Sequence, residues 1–540
     1  MGYDDVIPLI GDFGRYQKRI YFLLCLPAIL CAFHKLGNVF LVAEPEYRCK
    51  LPSELPNASY HLTPEILNKS YPWDSFKKKY SSCVMLVNNT ERKCHEYVYD
   101  TDVYGYTAVI EWELTCDKAH TIATSNAIFM VGVMLGSIIF GQLSDKFGRK
   151  LIFFISLVIQ VVFGLIAAFA PELWSFSLAR AIVGATTSGV FLVAYVIALE
   201  MVGPQKRLLA GTGCQMFFSA GYMLTAAFAV YINDWRNLQL ALTIPGLVFF
   251  CYWWFIPEST RWLISQNRIS EAKTLIKIAA KANKKTITDD QLHNLLISDA
   301  KPVNRLDNQA TVLDIFKHSN LRKRSLIILF DWFANNITYY GLSWNTNNLG
   351  GNPYINFVIS GAVEIPAYIF LLLTLNRWGR KFVMCGCMIT AGLALLLTMA
   401  IPNDQQWLIV TLAMIGKLAI TASYGAVYIF STEQFPTAIR NAGLGAGSTC
   451  ARMGSITSPY INLLSKFWDP LPLIVFGSLS LFGGVISLVL PETLNKKLPE
   501  TIEEGEAFGK KLKKCVDEEQ PLSVNGTKKP IRIMKNGGTK

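Results

Sequence analysis

Between two apolar stretches lies Gly141-Gln-Leu-Ser-Asp145-Lys146-Phe-Gly148-Arg149-Lys150, and far downstream a shorter copy, Asn376-Arg377-Trp-Gly379-Arg380-Lys381, lies between two others. Each reads as a tight glycine-bearing turn at a membrane surface, where a cluster of cations stays outside hydrocarbon. The copy is not isolated. Glu200-Met-Val-Gly-Pro204-Gln-Lys-Arg207 is echoed by Glu433-Gln-Phe-Pro436-Thr-Ala-Ile-Arg440, and Pro257-Glu258-Ser-Thr-Arg261 by Pro491-Glu492-Thr-Leu-Asn495. From Asp145 to Asn376, Glu200 to Glu433 and Pro257 to Pro491 the displacements are 231, 233 and 234 residues. One displacement shared by three separate features implies two related halves.

That period is far longer than solenoid or propeller repeats and matches membrane carriers built from parallel halves. Composition agrees. Hydrophobic residues make up 51% and charged residues 17% of the chain, with a mean hydropathy of +0.31, which excludes ordinary soluble domains and indicates a polytopic membrane protein in a lipid bilayer. A net charge of +12 would suit nucleic acid, but Lys and Arg fall in short runs beside apolar spans instead of on one basic domain. They read as topology signals, and no nucleic-acid partner is expected.

Twelve apolar runs reach the roughly 20 residues a helix needs to cross hydrocarbon; they begin near Ile20, Thr121, Leu151, Ser177, Gly211, Leu238, Ser325, Tyr354, Phe382, Trp407, Ala442 and Leu471. The first could pass for a signal peptide, with Arg15, Lys18 and Arg19 ahead of it, but its apolar stretch to Ala43 is too long and lacks a small-residue cleavage site. It reads as an uncleaved helix. Lys and Arg concentrate in the loops holding Lys146 to Lys150, Lys206-Arg207, Pro257 to Arg324 and Arg377 to Lys381, whereas the opposite short loops carry only Arg236 and Lys466. Both termini are therefore expected to be cytoplasmic.

The expected division is residues 1–19 as a cytoplasmic N-terminus, 20–256 as a first six-helix bundle with extracellular loop 44–120, 257–324 as a cytoplasmic linker, 325–491 as a second bundle and 492–540 as a cytoplasmic tail. Within the linker, Ser270 to Lys281 reads as an amphipathic helix, and disorder is expected from about Asp517. The external loop holds Cys49, Cys83, Cys94 and Cys116, which permit three pairings, and sequons at Asn57, Asn68 and Asn88. It reads as a disulfide-stapled, glycosylated ectodomain.

No catalytic constellation stands out: there is no phosphate-cradling loop, no His-Glu-x-x-His and no nucleophile elbow, and the six histidines lack metal-ligand spacing. Neither an enzyme activity nor a cofactor nor a metal is expected. The informative residues are ionisable groups inside the spans, since charge in hydrocarbon needs a partner or an aqueous cavity. These are Lys35, Asp331, Glu364, Lys417 and Arg452, with His34 beside the first. Both signs are present, which suits amphoteric or mixed cargo. Lys417 reads as one member of a structural ion pair and Asp331 as a gating or pairing group, while Lys35 lies near mid-span. Glu364 precedes Ile365-Pro366, where a proline can break the helix at a midplane site. Phe191 and Tyr195, four apart, and Trp332, Tyr339 and Tyr340 could receive an ammonium group by cation–π attraction.

Taken together, these residues resemble the major facilitator superfamily, and within it the organic cation, organic anion and carnitine carriers. The resemblance rests on Glu111-Trp-Glu-Leu-Thr-Cys116, Gly141 to Lys150, Pro257-Glu-Ser-Thr-Arg-Trp-Leu263, and Pro491-Glu-Thr with Leu498-Pro-Glu-Thr-Ile-Glu-Glu504. Met1-Gly-Tyr-Asp-Asp-Val and Tyr16-Gln-Lys-Arg-Ile20 are similar to invertebrate organic cation transporter-like proteins.

The resemblance implies an all-α integral membrane fold, twelve helices in two pseudo-symmetric six-helix bundles that rock around a central site. It implies that Lys146, Arg149, Glu200, Arg207, Arg380, Glu433 and Arg440 are gate contacts, and that Phe191, Trp332, Tyr339 and Glu364 line the substrate cavity. Asp145 faces Asn376 in the echo, so the two gates should differ electrostatically.

Arg452, in Gly447-Ser-Thr-Cys-Ala-Arg452-Met-Gly, departs from the cation carriers and is similar to the anion and carnitine subgroups; its fork suits a carboxylate. The expectation is a plasma-membrane carrier of small organic ions, organic cations and carnitine-type zwitterions first. An organic-anion exchanger is the alternative, and a transport-dead receptor or scaffold the reading of a different class. Whether sodium or a proton couples transport is not legible.

Overall fold

A computed structural model describes residues 3–55, 58–74, 79–88, 90–288, 292, 317–402 and 405–509. Long helices dominate it. Among the described residues, eight are long and apolar enough to cross a membrane: Arg15–Leu41, Cys116–Phe147, Arg149–Ala168, Leu173–Glu200, Pro204–Tyr231, Pro353–Trp378, Arg380–Ala400 and Gln406–Gln434. The apolar Leu471–Ser487 is shorter. Three further helices complete the twelve: Trp235–Thr243, continued as a 3-10 helix over Ile244–Trp254, then Ser319–Trp344 and Arg440–Leu463. The last two are polar for a reason. Asp331, Asn335, Asn336 and Ser343 on the one, and Ser455 and Ser458 on the other, are turned into the bundle and buried.

Several helices begin earlier than their apolar runs. The first starts at Arg15 and the seventh at Ser319, because cationic and polar first turns sit at the interface and carry no apolar signal; the fourth starts at Leu173, where the Glu172–Ser175 capping box sets its start. Residues Tyr3–Ile10 also form a helix, whose Val6, Ile7 and Ile10 pack against Trp262, Leu263 and Ile276. These belong to the linker, where the amphipathic segment is helical over Ile269–Ala282. Asn283 fastens the join, donating to the carbonyl of Ile10 and to Gln17 Oε1 and accepting from the Tyr16 N–H. Asn57 and the stretch from Asp517 lie outside the described residues.

Within the first half, the second span brings Gly132 and Gly136 against the backbone of Ala181 and Ala185 in the fourth, leaving no room for a Cβ. Small residues at four-residue spacing allow that approach without a hydrophobic driving force between helices. Between the halves, the second span packs on the eleventh and the fifth on the eighth, an arrangement that a two-fold relation between halves exchanges with itself.

The segment after the first span forms three short antiparallel strand pairs: Tyr47–Cys49 with Tyr97–Tyr99, Trp73–Asp74 with Lys79–Tyr80, and Val84–Val87 with Thr90–Lys93. Too small to bury a core, it is closed by the disulfides Cys49–Cys94 and Cys83–Cys116. Asn68 and Asn88 are exposed on it, Asn88 at a turn with φ 54°.

Candidate functional site

Around Glu364 the eighth span is interrupted: one helix ends at Ala362 and the next begins at Glu364, with Pro366 in its first turn. That places the carboxylate at the positive end of a helix, in a position with no exposed surface. It is neutralised and saturated. Lys417 Nζ lies 3.1 Å from Oε1, the Tyr339 hydroxyl donates to Oε1 at 2.6 Å and the Ser219 hydroxyl to Oε2 at 2.7 Å. Ser219 comes from the fifth span, so one of the three donors crosses between halves. Lys417 also donates to Ser343 Oγ and lies over the ring of Tyr339.

Across the interface the first half contributes Lys35, Phe191, Tyr195 and Phe218. The Lys35 ammonium sits 5.5 Å from the centre of Phe191 and 5.7 Å from that of Phe218, while Phe191 stacks on Tyr195 at 6.1 Å. From the second half come Trp332, in edge contact with Tyr428 at 4.3 Å, and Tyr424, stacked on Tyr339. Half-buried Arg452 is bonded to the Tyr340 hydroxyl and flanked by Tyr424 and Tyr428. Tyr428, although exposed, is within electrostatic reach of both Tyr195 and Arg452, so it faces the cleft between halves and not lipid. Lys35 is in turn close enough to Arg452 for repulsion. The structure thus brings Lys35, Phe191, Tyr195, Trp332, Tyr339, Glu364 and Arg452 to one interface.

At the linker side, the two glycine turns are near copies in three dimensions. Gly148 and Gly379 take φ 108° and 95°, and the turn lets successive N–H groups of Arg149 and Lys150 converge on Glu258, and those of Arg380 and Lys381 on Glu492. Arg149 then reaches Asp145 at 2.9 Å and Glu200 at 3.5 Å, and Arg380 reaches Glu433 at 3.1 Å. Ser259 donates to Glu200 as Thr493 does to Glu433. These contacts lie within each half. Lys146 stacks on Phe147, and Arg440 bonds Thr437; Arg207 is engaged as well. Asn376 is exposed, and Arg380 has no counterpart of the Asp145 contact among the described residues.

On the opposite side, beneath the strand-paired segment, a cavity of about 750 Å³ is bordered by Tyr47, Tyr60, Trp73, Glu44 and Lys466. Glu44 and Lys466 form an ion pair of 2.7 Å that joins the end of the first span to that of the eleventh. His61, Asp100 and Asp102 also gather at the surface of the strand-paired segment, an association that their spacing does not signal.

Some buried charge is legible only in the fold. Arg180 is buried in the fourth span, bonded to the carbonyl of His34 and laid over Phe129; an apolar run counted from Ser177 leaves it looking like an edge residue, whereas the helix begins two turns earlier. Asp331 is buried with one oxygen on the Ser487 hydroxyl. Tyr222, Tyr424 and Tyr428 complete the aromatic lining. The four-residue spacing of Tyr424 and Tyr428 is a signal that could have found them.

Residues 75–504 match the family described as "Sugar (and other) transporter". The chain is 56% identical to the organic cation transporter protein of Drosophila melanogaster, over 95% of this chain and 96% of that one. It is 34% identical to human organic cation/carnitine transporter 2, over 93% of each. The fold is similar to that of the xylose transporter XylE from E. coli in an inward-open conformation, with a TM-score of 0.62 at 16% identity over 91% of this chain and 99% of that one. The family model and these relatives make the chain a membrane carrier. The chain belongs to the sugar (and other) transporter family of the major facilitator superfamily, on its organic-ion transporter branch.

Proposed function

We propose that this chain is an alternating-access carrier, not an enzyme, that moves small organic ions, namely organic cations and carnitine-type zwitterions, across the plasma membrane with both termini cytoplasmic. The observation that carries this reading is the aromatic cleft between the halves, where a fixed acid and fixed cations stand within one interface. Rings of Trp332, Tyr424 and Tyr428 suit an ammonium, and Arg452 suits a carboxylate. The names of the similar transporters support both ends of such a substrate.

The division into bundles at 20–256 and 325–491, joined by the 257–324 linker, belongs to the same proposal, as do glycans on Asn57, Asn68 and Asn88 of an extracellular loop 44–120. The turns around Asp145, Lys146, Arg149, Glu200, Arg207, Arg380, Glu433 and Arg440 act as gates. The test is uptake of a quaternary amine, carnitine and an aryl carboxylate by expressing cells, with and without sodium. Saturable uptake of carnitine or the amine supports the reading, and uptake of the aryl carboxylate alone overturns it. That second outcome defines the rival reading, an organic-anion exchanger, which is favoured by Lys35 and Arg452 having no acidic partner among the described residues.

A further inference from the structure

Lys35 is the anomaly of the cleft. It is only 6% exposed, in the last turn of the Arg15–Leu36 helix, so little of it meets water. Among the described residues it has no carboxylate within ion-pair distance and no hydrogen-bond acceptor; its neighbours are the rings of Phe191 and Phe218. Arg452 stands near enough to repel it, and the one carboxylate of the cleft, Glu364, is already engaged by Lys417. Two ring contacts of about 0.5–2 kcal/mol each do not replace a counter-ion in a low-dielectric site. Two cations from opposite halves therefore converge, and among the described residues neither has a carboxylate partner.

We propose that Lys35 is a specificity-determining residue: its ammonium occupies the Phe191/Phe218 seat that a substrate's ammonium would otherwise take, and with Arg452 it forms a two-cation receptor for a substrate carboxylate. This deepens the transport reading and rests on it. A simple permanent cation must displace a tethered like charge to reach these rings, whereas a carboxylate-bearing substrate finds complementary charge on both sides of the interface. The ammonium end of a zwitterion is left to the rings of the second half, Trp332, Tyr424 and Tyr428. Lys35 and Arg452 belong to different halves, so a bound carboxylate also ties the halves together.

The experiment compares uptake of tetraethylammonium and carnitine by cells expressing wild type, Lys35→Met and Lys35→Arg, corrected for surface expression. Methionine keeps the length and removes the charge; arginine keeps the charge. The expected result for Lys35→Met is that KM for carnitine rises and KM for tetraethylammonium falls, each about tenfold, the worth of one charge-assisted contact. Lys35→Arg retains the wild-type order of preference. Lys35→Met should reach the surface at least as well as wild type, since it removes an uncompensated buried charge. Three results overturn the proposal: an unchanged ratio of the two KM values, parallel loss of both activities with Lys35→Arg equally impaired, or failure of Lys35→Met to reach the surface. Wild type that carries neither probe refutes the transport reading itself, a result distinguishable from all three.

Discussion

Replacing Lys417 by methionine should destabilise the protein severely, and a second replacement should undo most of the damage. Glu364 has no exposed surface, and its charge is balanced by the Lys417 ammonium at 3.1 Å. Removing one partner of a buried pair leaves an uncompensated ion and costs about 3–5 kcal/mol, whereas replacing both by groups of similar volume is close to neutral. The hydroxyls of Tyr339 and Ser219 remain as donors to the carboxylate, so Lys417→Met should fall at the low end, about 3 kcal/mol. Lys417→Met combined with Glu364→Gln should lie within about 1 kcal/mol of wild type, because the Gln amide accepts from one of those hydroxyls and donates to the other. Thermal unfolding of the detergent-solubilised protein at one scan rate, on wild type, both single variants and the double, measures the coupling. Additive losses would show that the two groups do not neutralise each other, and the account of the cleft's charge would collapse with them.

Three further outcomes follow from the turns. Gly148→Ala and Gly379→Ala each place a Cβ 2.7 Å and 2.6 Å from a Glu258 or Glu492 oxygen at a φ that favours glycine, so each should cost about 1–3 kcal/mol and lower surface expression; normal thermal stability would refute this. Asp145→Asn should impair uptake more than Asn376→Ala, since only Asp145 contacts the arginine one turn on; equal effects at matched surface levels count against the asymmetry. Burial alone would raise the Glu492 carboxyl, but N–H donors from Leu494, Thr493, Arg380 and Lys381 outweigh it and hold the group below the usual glutamate range. Its contribution is therefore complete above the unfolded value near about 4.3 and is lost as pH falls through the lower folded value. The stability difference between wild type and Glu492→Gln should stay constant above about pH 5 and shrink as pH falls from there toward about 3, and a constant difference throughout would refute it.

Duplication and the apolar runs are local in sequence, so the twelve spans and the two halves could be read directly. Partners could not. Three pairings were open for Cys49, Cys83, Cys94 and Cys116, because which cysteines meet depends on how strands fold back on one another. Lys417 was legible as half of an ion pair, and the other half proved to be Glu364, fifty-three residues away on another helix. Ser219 carries no signal of its own: a serine in an apolar span is commonplace, and its importance comes from facing a carboxylate of the other half. Arg180 was hidden by a helix start that hydropathy misplaces, and Lys35 was visible as a charge in the first span, though in the last turn of its helix and not at mid-span, while its want of a counter-ion was not visible.

The cross-half bond from Ser219 bears on how such a carrier can move at all. When the halves part, Glu364 keeps its cation and its phenol, both from its own half, and gives up one hydroxyl that a single water can replace. The arginine clusters at the glycine turns are likewise closed circuits inside each half. Rocking therefore never strips a buried ion of its partner. Apart from the Glu44–Lys466 pair between the first and eleventh spans, the ion pairs described here close within one half, and the charge left unfinished at the centre is what the cargo can complete.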